Sequence, residues 1–476
     1  MGNQDAFIAK LNSSGTLLWV ITYGDTDYDY ARDILIDNTG KILVTGITFG
    51  GTIDFDPGPG TVILSYPSLT GFLVKLNPDG TLISADLKEY YGTQMCFDSN
   101  QNLIITGPYD LAKIDPSGNL LWKDTLYFWC GGRIRRMAVD HSDQIIIGGE
   151  FCGPVDSDPG IGTNYLYTGA FEDVFVIKLN SAGNFLWSGA FGGGKALNNF
   201  NNDNIKSILI DSLNNIYLGG QFADTTDFDI GNGTHTVVSS GYYDMYINKL
   251  DSAGNFVWVY TAGNTDFDGI NDMFMDKQGN LYATGLFASV IDFDLGINTY
   301  TLNTTSSSDG DQFILKIDTA RNFKWVVSFK ANCYQYGSAL HLDNQNSIFC
   351  GSSFFCSVDM DPGPGVSIVS VINTSVNAMD ACLLKLNQDP NGFIENSLLN
   401  SNFNLYPNPA NNQVFIDSKN YALQYKVLDT QGKLILESEI KGATNIDVSK
   451  LNSGIYFVQL NHKSGYSETK KLIITR

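Results

Sequence analysis

A segment of the form apolar-x-Lys-Leu or Lys-Ile recurs at Lys10, Lys75, Lys113, Lys178, Lys249, Lys316 and Lys385, with successive gaps of 65, 38, 65, 71, 67 and 69 residues. Self-similarity at such a period constrains the fold more than any single motif, because units this short cannot bury their own apolar faces and must stack on one another. After most copies comes a Gly-bearing turn, such as 115–118 or 251–254, and then a strand that ends near Trp19, Trp122, Trp187, Trp258 or Trp325. Two alternating apolar runs around such a turn make a hairpin. A second hairpin lies downstream. Its first strand reads as 34–37, 137–140, 208–211 and 273–276, each closing on Asp, and its second as 42–46, 103–107, 216–220 and 281–285, each closing on Gly. Four antiparallel strands per repeat, stacked radially with one Trp wedged between neighbours, predict an all-β chain built as a β-propeller. A row of separate small sandwiches is the alternative, and repeats this short are thin for independent cores.

The inventory holds six of each strand type but seven of the Lys-bearing strand. That predicts six blades with one surplus strand, or seven if the start is truncated and two strands are missing. An aromatic content of 12%, 48 glycines and only 17% charged residues suit many short strands joined by tight turns. The clearest copy, Asp173 to Leu179 followed by Gly183 to Trp187, resembles the bacterial β-propeller repeats of the SBBP type. The resemblance covers about residues 5–390 and implies an architecture rather than a chemistry.

The formal net charge is -21; residues 402–476 carry nine Lys or Arg against six Asp or Glu, a balance of +3, so residues 1–401 hold -24. Such acidity argues against nucleic acid or an anionic membrane surface as partner. No apolar run is long enough to span a bilayer as a helix, so no transmembrane segment is expected. The first residues show no basic stretch followed by an apolar one, so no signal peptide is expected in this chain.

Five loops repeat an Asp-x-Asp pair ahead of a glycine bend: Asp54 and Asp56, Asp156 and Asp158, Asp227 and Asp229, Asp292 and Asp294, Asp359 and Asp361. Convergent carboxylates at a sharp turn are what a hard cation such as calcium takes. The competing reading is an acidic turn whose carboxylates accept backbone hydrogen bonds, and the apolar or Pro residue at the third ligand position favours it. Because antiparallel partners share ends, these loops and the lead-in loops 24–29 and 263–268 should lie on one face, which makes that face the expected binding face.

Cys130 and Cys333 each lie eight residues after the repeat's Trp, and Cys152 and Cys356 sit just before two of the Asp-x-Asp pairs. The repeat therefore predicts disulfides Cys130–Cys152 and Cys333–Cys356, with Cys96, Cys350 and Cys382 unpaired on strands. Zinc is the rival for these cysteines, but no Cys-x-x-Cys occurs and only four His exist.

These features place the propeller at 1–388 and a polar linker at 389–402. A β-sandwich of about 75 residues follows at 403–476. Its Tyr-Pro-Asn-Pro run with Pro407, Asn408 and Pro409, its Leu-x-x-Gly-x-Tyr with Gly454 and Tyr456, and its terminal Lys470-Lys471-Leu-Ile-Ile are similar to the type A sorting domain of Bacteroidetes type IX secretion cargo. That resemblance implies passage through the type IX machinery as a partner, and an extracellular or outer-membrane-surface location.

No nucleophile elbow, phosphate loop or zinc-protease motif is present, and the four histidines share no position in the repeat. The expected function is a non-enzymatic binding or adhesion scaffold with a glycan or protein ligand. Arg133, Arg135 and Arg136 form its basic cluster and point to an anionic ligand. The rival from another class is an extracellular polysaccharide hydrolase or lyase acting through carboxylates of the acidic face.

Overall fold

A computed structural model describes the chain except at residues 1–3, 169–171, 194–202, 297, 305–309, 364–365, 373–378, 389–402, 419–421, 430–432, 440–443, 463–466 and 476. The expected linker lies outside the described residues. The chain divides into two compact units, Met1–Glu395 and Asn396–Arg476. Among the described residues there are strands, turns and bends but no helix.

The first unit is a β-propeller. Its first blade comprises Asp29–Ile36, Ile42–Thr48, Thr70–Leu76 and Leu82–Lys88, and its second Gln94–Phe97, Leu103–Thr106, Asp110–Ile114 and Leu120–Thr125. The third runs Arg133–Val139, Ile145–Phe151, Asp173–Leu179 and Phe185–Phe191. The fourth runs Asn204–Ile210, Ile216–Phe222, Asp244–Leu250 and Phe256–Ala262, and the fifth Gly269–Met275, Leu281–Phe287, Asp311–Ile317 and Phe323–Ala331. All pairs are antiparallel and sequential, as the two-hairpin repeat requires. The sixth blade has three strands among the described residues, Gln335–Leu342, Ile348–Phe354 and Asp380–Leu386. The surplus Lys strand does not complete that blade. It forms a two-stranded sheet of its own, Ala6–Leu11 with Leu17–Tyr23, beside the first blade.

Six apolar clusters hold the unit, and each lies at a seam between two neighbouring sheets rather than within one. This is the physical content of radial stacking: a sheet with two apolar faces is shielded only by its neighbours. The tryptophans work as wedges. A Cβ on the turn glycine of the next blade would meet Trp19 at Gly80, Trp122 at Gly183 and Trp187 at Gly254, and the φ angles of +91°, +85° and +88° there suit glycine.

The repeated lysine explains itself in the same way. In each of the six blades it pairs with the Asp that closes the first strand: Lys75 with Asp37 at 3.4 Å, Lys113 with Asp98 at 2.8 Å, Lys178 with Asp140 at 2.9 Å, Lys249 with Asp211 at 3.9 Å, Lys316 with Asp276 at 3.8 Å and Lys385 with Asp343 at 3.9 Å. Four lysines also donate across the seam to a turn carbonyl of the next blade, Lys10 to Pro78, Lys113 to Ser181, Lys178 to Ser252 and Lys249 to Thr319. Lys113, Lys178 and Lys249 are thus latches both within their blade and between blades.

The second unit packs a three-stranded sheet, Phe403–Tyr406, Gln413–Ser418 and Thr444–Asp447, against a four-stranded one, Leu434–Glu439, Ala422–Leu428, Gly454–His462 and Ser467–Ile474. Val414, Ile416 and Ile446 of one sheet share a core with Val427, Val458, Leu472 and Ile474 of the other, which is the expected sandwich.

Candidate ligand-binding mouth of the propeller

The innermost strand of five blades carries a one-residue bulge, and the extra residues are Arg32, Arg135, Lys206, Asn271 and Ser338. A bulge re-aims its side chain, and here three successive bulges in blades one, three and four present cations. Their charges act on one another across blades. Loss of hydration lowers the Arg32 guanidinium first, followed by repulsion from Arg135 and Arg133. Burial likewise lowers Lys206, with Glu150 opposing and Arg135, Arg136 and Arg133 adding to the fall. Glu150, 2% exposed, accepts from Nε of Arg135 at 2.6 Å and of Arg133 at 3.4 Å. Arg133 and Arg135 therefore share this one carboxylate, whose charge also acts on Lys206 and Arg136.

In blades one to five the residue at the next inner-strand position ties the ring. Asp33 accepts from the Met95 amide at 2.7 Å, Gln94 from the Met137 amide, Ser207 from the Met273 amide at 3.1 Å and Asp272 from the Leu340 amide at 2.8 Å. Arg136 holds the same position, donates to the Lys206 carbonyl and sits between the charges of Asp33 and Asp272. Arg136 is thereby absorbed in the girdle. Arg32, Arg133, Arg135 and Lys206 are left for the mouth.

Aromatic residues rim that mouth. The Arg32 guanidinium lies 5.0 Å from the Tyr30 ring centroid, and Tyr30 packs with Tyr28 and Phe49. Around the rim follow Tyr109 against Phe128, Tyr242 stacked on Phe267 at 4.9 Å, and Tyr334 against Tyr336. Tyr127 and Trp129 are each 81% exposed. These side chains come from or border the lead-in loops and the loops between second and third strands, and contacts show that both sets meet at one end. Asp25 accepts from the Thr52 amide at 2.9 Å, Ser289 donates to Asp266 at 2.6 Å, and Asp203 accepts from the Ala223 amide at 2.8 Å. Both expected disulfides, Cys130–Cys152 and Cys333–Cys356, join the same two loop sets in blades three and six. Cys96, Cys350 and Cys382 are free.

The Asp-x-Asp pairs lie in those loops, and their hydrogen bonds support the turn reading. In all five the first carboxylate accepts two amides: Asp54 from Asp56 and Val62, Asp156 from Asp158 and Asn164, Asp227 from Asp229 and His235, Asp292 from Asp294 and Tyr300, Asp359 from Asp361 and Ser367. The second carboxylate accepts the amide two residues on. The residue between them, Phe55, Ser157, Phe228, Phe293 or Met360, is buried. The motif is a peg driven into the blade with a hydrogen-bonded collar on each side. A calcium ion takes roughly six to eight oxygens, and among the described residues no three His, Cys, Asp or Glu side chains gather around a common point.

A further acidic feature was not visible in sequence. Where blades meet at this end, a buried Asp at the start of the inner strand faces one on the preceding blade's third strand. Burial, and then the neighbouring charges, push Asp203 and Asp268 up to about 7, and burial pushes Asp244 up to about 6. A carboxyl raised on folding stabilises the fold fully below its unfolded value near 4, and that contribution is lost as pH rises through the folded value. Thermal unfolding is therefore expected at a higher midpoint at pH 5.5 than at pH 8, and D268N should shrink the difference.

In the second unit the expected motif residues have plain roles. Asn408 donates to the Lys471 carbonyl at 2.7 Å and accepts from the Ile473 amide at 2.9 Å, so the segment between Pro407 and Pro409 is stitched to the final strand. Tyr456 donates to the Asn452 carbonyl at 3.1 Å and packs on the core just after Gly454. Lys470 and Lys471 pair in register with Val458 and Phe457.

Fold and sites together define an all-β propeller followed by a secretion-type sorting domain: residues 404–475 match the family model of the secretion system C-terminal sorting domain. The chain is also 20% identical over 382 residues to an uncharacterized WD repeat-containing protein of Acanthamoeba polyphaga mimivirus, covering 73% of this chain but only 26% of that protein. Among solved structures it is similar to PorZ, described as an essential bacterial surface component of the type-IX secretion system of Porphyromonas gingivalis, with 13% identity, a TM-score of 0.33, and coverage of 96% of this chain and 60% of that one. It is similar as well to the Pan2 WD40 domain of Neurospora crassa, at 11% identity and a TM-score of 0.32, over 74% of this chain and 93% of that domain.

Proposed function

We propose that the chain is a type IX secretion cargo that works at the cell surface or outside it as a non-enzymatic binding scaffold, and that its ligand is an acidic glycan seated over the propeller mouth. The supporting observation is the meeting of Arg32, Arg133, Arg135 and Lys206 from three blades inside a rim of exposed aromatic rings, in a propeller that is otherwise strongly acidic. Guanidinium groups recognise carboxylate or sulfate in a bidentate manner, and aromatic rings with one apolar face and one wet edge suit the faces of sugar rings. The negative surroundings repel polyanions that do not reach the cations, which favours specificity over raw affinity. Export rests on the sorting domain at 404–475.

Glycan-array binding of the full chain tests this. Uronate-bearing or sulfated glycans should be retained at moderate salt while their neutral counterparts are not, and R135S should lose most of the signal. Retention of neutral glycans alone would contradict the reading. Turnover of a bound polysaccharide would favour the hydrolase or lyase alternative.

A further inference from the structure

The seam between the first and second blades lacks its wedge. Opposite the repeated lysine, the neighbouring strand carries Trp19 beside Lys10, Trp122 beside Lys113, Trp187 beside Lys178, Trp258 beside Lys249 and Trp325 beside Lys316, but Ser84 beside Lys75. A Cβ on Gly118, the turn glycine of the second blade, would accordingly meet nothing within 4 Å, where those on Gly80, Gly183 and Gly254 would meet an indole. A cavity of about 480 Å³ lies at this seam, within the size range of small-molecule sites. Leu43, Phe97, Leu103 and Ile114 line it. By register they hold the positions of Tyr217, Met275, Leu281 and Ile317, which pack with Trp258 in the seam between the fourth and fifth blades. The polar fitting is present too. Trp19 and Trp258 donate through Nε1 to the turn carbonyls of Pro78 at 3.4 Å and Thr319 at 3.2 Å. Pro116 holds the same turn position and lines the cavity, and among the described residues its carbonyl receives neither an indole nor a lysine donor.

We propose that this cavity binds a small molecule built on an indole ring, which fills the wedge position of the repeat and donates its N–H to the Pro116 carbonyl. The apolar walls select a flat ring of that size, because the same four positions already hold one in the fourth seam. The carbonyl selects the N–H, because a ring that covers an acceptor without donating to it leaves a buried hydrogen bond unmade. A substituent on C3, the carbon through which tryptophan hangs from its strand, leaves the cavity beside Ser84, which is exposed. The site therefore takes indoles with a polar tail as well as indole itself. Turn residues 37–39 and 115–118 border the cavity and join first to second and third to fourth strands, so it opens at the end of the propeller away from the mouth.

Indole and benzothiophene, a ring of the same shape without the N–H, are the probes, added to the full chain and followed by calorimetry and thermal unfolding. Indole should bind one to one and raise the unfolding midpoint, and benzothiophene should bind about tenfold more weakly. Ser84→Trp supplies the wedge from the chain itself, so it should raise the midpoint of the ligand-free protein and abolish indole binding, while Ser84→Ala should bind indole as the parent does. Failure of indole to bind at one to one, equal affinity for the two rings, or undiminished indole binding by a folded Ser84→Trp protein would overturn the proposal. Should Ser84→Trp fail to fold, the comparison of the two rings on the parent chain decides by itself. Ser84→Trp should retain acidic glycans as the parent does, so the glycan reading of the mouth stands or falls separately.

Discussion

Lys178→Ala, or Asp140→Ala, is expected to lower the stability of the propeller by about 3–5 kcal/mol, because removing one partner of a buried ion pair leaves the other charge uncompensated. The pair sits at 2.9 Å with side chains 1% and 0% exposed, and the ammonium also holds the Ser252 carbonyl across the seam at 3.0 Å. The same truncation at Lys75, whose side chain is 30% exposed and 3.4 Å from Asp37, should cost under about 1 kcal/mol. Urea unfolding of the two variants measures the contrast. Equal losses would mean that the repeated lysine is a solvated ornament of the sequence rather than the bolt between blades.

The second large effect is expected at the pegs. Phe293 is fully buried, packs against Phe287 and Phe313 at 5.6 and 5.3 Å, and accepts the Tyr260 hydroxyl on its carbonyl. Phe293→Ala should cost about 3–5 kcal/mol through lost burial and the cavity left behind. Asp294→Ala removes one amide acceptor at the surface and should cost about 0.5–1.5 kcal/mol. That order, unchanged by added calcium, is what a structural turn gives. A metal centre would reverse it, with the aspartate variant the more damaging and only when calcium is present.

The repeat made the propeller, its seams and the disulfides legible, and the alternating strands and motifs after residue 402 did the same for the sandwich, because period and alternation are properties of the chain itself. The pairing of Lys113 with Asp98 and of Lys178 with Asp140 lay in plain sight as two recurring letters, but only the antiparallel register brings them together. The mouth was half legible. Arg133, Arg135 and Arg136 are neighbours in sequence, whereas Arg32 and Lys206 join them through the ring, and Arg136 turns away into the girdle. A signal existed: Arg32, Arg135 and Lys206 each stand five residues before the Asp that ends the inner strand, the position at which the bulge falls. Charge alone could not mark it, since the loops around the mouth are acidic. The lone Ala6–Leu11 hairpin was less legible still, because a strand count cannot say whether a surplus strand completes another blade or stands by itself.

The convergence of charges from separate blades on one ligand is tested most directly by titrating an acidic oligosaccharide, such as an oligogalacturonate, into the full chain and into its Arg32→Ser and Lys206→Ser variants. These positions lie in the first and fourth blades and meet only if the sheets close around a shared mouth. Each variant should keep the unfolding midpoint of the parent and bind about tenfold more weakly, with a flatter dependence on salt. Undiminished affinity in either variant, with the other impaired, would contradict a common site at the axis.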